Sequence, residues 1–134
     1  MWSRRDITLG ADSAATDTLS PERNTDFLFV IAYEADSVNE NQLLYELARY
    51  NFTNFMVRNF DMDIEKEGYL HRMVVGGFLN FDEALQYARK LRNTTEMAGH
   101  LNHCSLLVIS KQNYALIWGG PNRGRSIVTV YVNP

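Results

Sequence analysis

YLHRMVVGGFLNFDEALQYARKL, residues Tyr69 to Leu91, carries an extended apolar run, a pair of glycines and an amphipathic helix in one continuous piece. His71 to Val75 is the apolar run and reads as a strand. Gly76 and Gly77 are placed to let the backbone turn sharply. Asn80 and Glu83 have the spacing of a helix N-cap with its capping box. Phe81, Ala84, Leu85, Ala88 and Leu91 then recur at three- and four-residue steps, which puts them on one helix face. The stretch predicts a strand-helix unit with a defined inside, and the rest of the chain reads as its partner or cover.

Upstream, Phe27 to Tyr33 (FLFVIAY) is aromatic and β-branched in both alternating registers, so it is expected to be a central strand covered on both faces. Ser37 with Glu40 forms an S-x-x-E capping box. Leu43, Leu44, Leu47 and Ala48 mark the buried stripe of a helix ending near Asn51. Phe55 to Met62 reads as a second strand, with Ile64 to Gly68 a charged turn leading into the strand at 69–75. Met97 to His103 reads as a loop and Cys104 to Ile109 as a short strand. Lys111 to Trp118 is expected as a short helix, followed by a glycine-rich loop. Ser126 to Val132 reads as an extra strand able to pair with a sheet edge or, in a homodimer, with a second chain.

The order β-α-β-β-α-β predicts an α+β, ferredoxin-like fold: a four-stranded antiparallel sheet with two helices on one face and a C-terminal extension bearing the extra strand. The halves 27–51 and 69–91 each contain strand, cap and apolar helix, the pattern of an internal duplication. Residues 1–26 read as a linker, 27–118 as the domain, and 119–134 as a C-terminal loop and edge strand. Asp6 to Asp26, rich in Ser, Thr, Ala and Asp, suggests a piece of a longer protein.

At 134 residues the chain suits one domain that folds without metal or disulfide, and Cys104 is its single cysteine. A net charge of −3 gives no general attraction to nucleic acid. No apolar run reaches the roughly 18 residues needed to span a bilayer, so no membrane insertion by this segment is expected.

Three near-motifs fail on their chemistry. Gly119 to Ser126 (GGPNRGRS) approaches a phosphate-cradling loop with Arg125 in the lysine position. Such a loop must open a helix, and a strand-like run follows instead. His100, His103 and Cys104 are zinc-type ligands without a second pair. Asp61, Asp63 and Glu65 precede a glycine, Gly68, that comes too late for a calcium loop. With no nucleophile elbow or metalloprotease motif, no catalytic residue, metal or cofactor is assigned, and the chain reads as non-enzymatic.

Residues 71–91 resemble the second repeat of SPOR domains. Val75, Gly76 and Phe78 match that family's Val-Gly-x-Phe strand exit, and Asp82, Glu83, Ala84, Ala88 and Leu91 match its helix. The span from Phe27 to Leu116, including Val108 to Tyr114, is similar to the SPOR-like C-terminal region of tetratricopeptide-repeat lipoproteins of Bacteroidetes that serve gliding and type IX secretion. The first strand ends Ile31-Ala32-Tyr33-Glu34 where glycan-binding members read Gln-Val-Gly-Ser-Phe. The resemblance implies an interaction module of a larger cell-envelope lipoprotein, periplasmic or outer-membrane-associated, that binds peptidoglycan glycan or an envelope protein. The alternative is a regulatory or ligand-sensing ferredoxin-like module that dimerises through sheet edges. On the sheet face away from the helices, Tyr33, Arg58 and Arg72 are the candidate glycan- or partner-binding residues.

Overall fold

The computed structural model describes residues 2–8, 19–55, 58–119 and 127–132. Its centre is strand β2, Phe27–Glu34, which pairs antiparallel with a strand on each side. In chain order the elements are β1 (Trp2–Thr8), β2, α1 (Glu40–Asn54), β3 (Asp61–Glu67), β4 (Leu70–Phe78), α2 (Phe81–Arg92), α3 (Thr95–Ala98), β5 (Ser105–Ser110), α4 (Lys111–Trp118) and β6 (Ile127–Val132). The fold is α+β. Its sheet is antiparallel, in the order β1-β6-β5-β2-β4-β3.

The two registers of β2 face two different cores, as its unbroken apolar character requires. Phe27, Phe29, Ile31 and Tyr33 point to one side, where Leu43, Leu47 and Tyr50 of α1, and Ala84, Tyr87, Ala88 and Leu91 of α2, close over them. Leu28 and Val30 point to the other side and pack with Val74, Leu107 and Ile109 under Tyr114 and Ile117 of α4. Tyr87 lies at the middle of an aromatic cluster, with ring centroids of Phe29, Tyr50, Phe55, Phe60 and Phe78 at 5.0–5.6 Å.

Several expectations need correction. The extra strand expected over 126–132 joins the sheet beside β5 as β6, but the sheet also contains β1, Trp2–Thr8, within the segment read as linker. β6 lies between β5 and β1, so it has a partner on both sides within the chain. The second strand is Asp61–Glu67, not 55–62. The charged run 64–67 belongs to it, and the turn falls at Gly68, whose φ of +61° suits glycine. Gly76 and Gly77 do not end their strand, which runs on to Phe78. The register shifts between Phe27↔Phe78 and Leu28↔Gly76, and Gly77 takes the extra position of a β-bulge at φ +117°.

The cap of α1 is Asn39, whose side chain accepts from the Gln42 amide, while the Ser37 hydroxyl donates to the Glu34 carbonyl. On α1, Ala48 faces outward and Tyr50 takes its place in the core. The segment 97–103 is preceded and entered by the short helix α3, which buries Met97. The α2 cap forms as expected, Asn80 Oδ1 accepting from the Glu83 amide at 2.9 Å, and Ser110 caps α4. Most of the glycine-rich segment 119–126 lies outside the described residues.

Leu47 is fully buried, whereas Leu85 is only partly buried at the margin of the same core. Leu47→Ala is expected to cost about 2–5 kcal/mol, and Leu85→Ala about 1 kcal/mol. Urea unfolding of both variants checks the order, and equal losses would place the α2 face wrongly.

Candidate functional site

The three predicted site residues do not converge. Tyr33 pairs with His71 and belongs to the core beneath α1, on the helix side of the sheet. Its neighbours in the ladder, Ala32 and Arg72, are paired with each other. Period-two alternation therefore sends Arg72 to the opposite face. Arg58 precedes β3, with its guanidinium over the Phe60 ring, donating to the Gly77 carbonyl and to Glu83 at 3.4 Å. A binding face made of Tyr33, Arg58 and Arg72 together is thus not present.

Each of the three is occupied internally. The Tyr33 hydroxyl donates to Glu40 Oε2, and His71 Nδ1 meets the same oxygen at 2.7 Å. Burial and the bond to Glu40 hold the Tyr33 phenol above its usual range, and its ring stacks edge-on against His71 at 5.8 Å. The contacts from Tyr33 and His71 pull the Glu40 carboxyl below its ordinary 4.5. Glu40, read as part of a capping box, instead pins the first turn of α1 to β2 and β4.

Arg72 is 4% exposed and is a buried charge with a full set of partners. Its Nε donates to Tyr114 Oη at 3.0 Å, while Glu67 and Glu65 accept at 2.9 and 3.4 Å. The Tyr114 hydroxyl donates a hydrogen bond to Glu65, and the guanidinium lies 4.8 Å from the Trp118 ring centre. Although burial works to lower it, the hydrogen bonds to Tyr114 and Glu67 raise the pKa of Arg72, so the cation is held. Burial pushes the Tyr114 phenol up to about 12. Cys104, the ligand-type residue of the His100–His103–Cys104 run, is half-buried, and its thiol is pushed up to about 11 by burial. It faces the His100 carbonyl at 3.5 Å and stays protonated near neutral pH.

α4 covers only part of the second sheet face. Beyond its N-terminus lies a groove of about 330 Å³ whose lining includes Leu28, Val74, Gly76 and Leu79, with Asp26, Asp61, Asp63 and Lys111. Gly76 opens it: a Cβ there would sit 3.3 Å from Leu28 Cδ2 and 4.0 Å from Asp61 Cβ. Because Gly76 is not among the positive-φ residues, its glycine serves space rather than backbone conformation. The Asp26 carbonyl accepts the Lys111 amide at 2.9 Å, and Asn113 holds Ser20 through paired bonds of 2.8 and 2.9 Å. These ties fix the groove's walls to the start of β2 and to α4. Leu79 on the rim is 64% exposed.

Sequence reasoning missed this site because Gly76 and Gly77 looked like a strand end, and because the strand was read over 55–62 with a charged turn at 64–68, which split the row of carboxylates. The available signal was the spacing of carboxylates at 61, 63, 65 and 67, which is period two. A second cavity of about 80 Å³ lies between α1 and α3, beside Tyr50, Thr94 and Met97. On α1, the exposed Tyr45 and Phe52 are seven residues apart and share one outward face. Among the described residues no cluster of three or more His, Cys, Asp or Glu is arranged to hold a metal, and no helix is long and apolar enough to cross a membrane. Comparison with family models, curated proteins and solved structures returns no match.

The lowered Glu40 carboxyl has a defined sign in stability. Its contribution is fully present above the unfolded value of 4.5 and is lost as pH falls through the lower folded value. Glu40→Gln is therefore expected to flatten the acid limb of a pH-stability curve below about 4.5. Denaturant midpoints at a series of pH values test this, and an unchanged slope would remove Glu40 from the account.

Proposed function

We propose that the chain is a non-enzymatic interaction module of a larger cell-envelope protein, with a SPOR-like, ferredoxin-like domain at its centre. The order β5-β2-β4-β3 with α1 and α2 on one face supports the ferredoxin-like reading of that part of the sheet. The groove at the end of the opposite face that α4 does not cover carries the functional reading. Its lining combines buried aliphatic residues, Leu28 and Val74, with the exposed polar residues Asp26, Asp61, Asp63 and Lys111. The potential reactive groups elsewhere are engaged in internal bonds, as the Glu40 and Arg72 networks are.

The resemblance implies cell-wall glycan or an envelope protein as the partner. A sugar-binding face presents aromatic rings for stacking, but Phe27 and Phe78 at the groove turn their rings into the helix-side core. This weighs toward a protein. The alternative module that dimerises through sheet edges is disfavoured by the carboxylate row on β3, which would meet itself in a symmetric pair.

Leu79 is exposed on the groove rim, so Leu79→Ser leaves the fold intact and removes an apolar contact. Retention of the purified protein by isolated sacculi and by solubilised envelope proteins is the measurement. In whichever fraction retains it, the variant is expected to bind about tenfold more weakly, the loss of one buried leucine contact. Retention in neither fraction, or retention untouched by the variant, would sink the reading.

A further inference from the structure

We propose that the outer edge of β3 and the adjoining groove receive an extended peptide with basic residues on one face and apolar residues on the other, added to the sheet as a further strand. This rests on the reading of the chain as a binding module and names the chemistry of its partner.

β3 ends the sheet order, and among the described residues no strand pairs with its outer side. Alternate backbone N–H and C=O groups along such an edge form a template for another strand. The side chains of β3 then decide which strand fits. Asp61, Asp63, Glu65 and Glu67 pair with Gly76, Val74, Arg72 and Leu70 and therefore share one face of the sheet. Glu65 and Glu67 are answered by Arg72. Asp61 and Asp63 are exposed and stand on the groove, joined by Asp26 and, among the described residues, by the ammonium of Lys111. On the other face Met62 and Ile64 are partly buried against the helix-side core.

An incoming strand thus meets carboxylates on one side and apolar surface on the other. Same-face residues of a strand recur at about 6.5–7 Å, so Lys or Arg at alternate positions would oppose Asp61 and Asp63 in turn. Spacing of that kind suits a row of cations on a peptide, and these carboxylates form no cluster fit for one metal ion. A second copy of β3 brings acidic residues opposite acidic residues, which is unfavourable.

The test uses the full chain with a synthetic octapeptide alternating lysine and valine and its glutamate-valine counterpart. Binding is followed by fluorescence anisotropy and amide hydrogen exchange. The lysine peptide is expected to bind, to protect amides of β3, and to weaken markedly at about 1 M salt. Asp61→Lys combined with Asp63→Lys is expected to weaken it about tenfold or more, with the thermal midpoint retained because both positions are exposed. Equal binding of the glutamate peptide, absence of β3 protection, or indifference to the double substitution would overturn the proposal. Failure of the lysine peptide while Leu79→Ser still lowers envelope retention overturns only this inference. Failure of both removes the groove as a binding site.

Discussion

The burial of both registers of β2 is the constraint on which the remaining structure depends. A strand that is apolar on both sides must be inside a sheet and covered twice. The helix-side register, Phe27 to Tyr33, takes α1 and α2. The other, Leu28 and Val30, needs a second layer, which α4 supplies through Tyr114 and Ile117. α4 is eight residues long and does not reach across the sheet. The groove between Leu28, Val74 and Gly76 is the part of that face the short helix leaves uncovered.

Arg72 adds a second constraint to the same layer. A buried guanidinium is tolerated only when its donors are matched, and removing one partner leaves the charge exposed to a poor solvent. Its partners come from β3, through Glu65 and Glu67, and from α4, through Tyr114 and the Trp118 ring. The arginine thereby ties an edge strand and the covering helix to β4. The Tyr33–Glu40–His71 contact does the corresponding work on the opposite face, joining α1 to β2 and β4.

Legibility in the sequence followed how strongly each element advertises its burial. β2 and α2 were readable because apolar residues in fixed periods leave few alternatives. β3 was displaced to the aromatic run before it, since Met62 and Ile64 are the only apolar residues of DMDIEKE and its charged residues resemble a turn. β1, WSRRDIT, has too few apolar residues to stand out from a linker. Asn39 and Ser37 both suit an N-cap, and only the tertiary demand for Glu40 at Tyr33 and His71 decides between them. The candidate residues failed for a related reason. Alternation told which residues oppose one another, but the covering of the second face by α4 depends on long-range packing that composition does not encode. Arg72 consequently looked like a surface charge and is in fact a packed one.

The sheet order has two edges, β1 and β3. Beyond β5 the chain continues through β6 to β1, so that β5 and β6 are paired on both sides. At β3 the protection is electrostatic, a row of carboxylates that disfavours pairing with another acidic strand. Protection by charge is selective, because a cationic strand reverses its sign. Glu65 and Glu67 already share the single charge of Arg72, so the reversal is strongest at Asp61 and Asp63, the two carboxylates that stand over the groove. Edge and groove therefore act as one surface, and the glycine at 76 that keeps the floor open belongs to the same arrangement as the acidic rim.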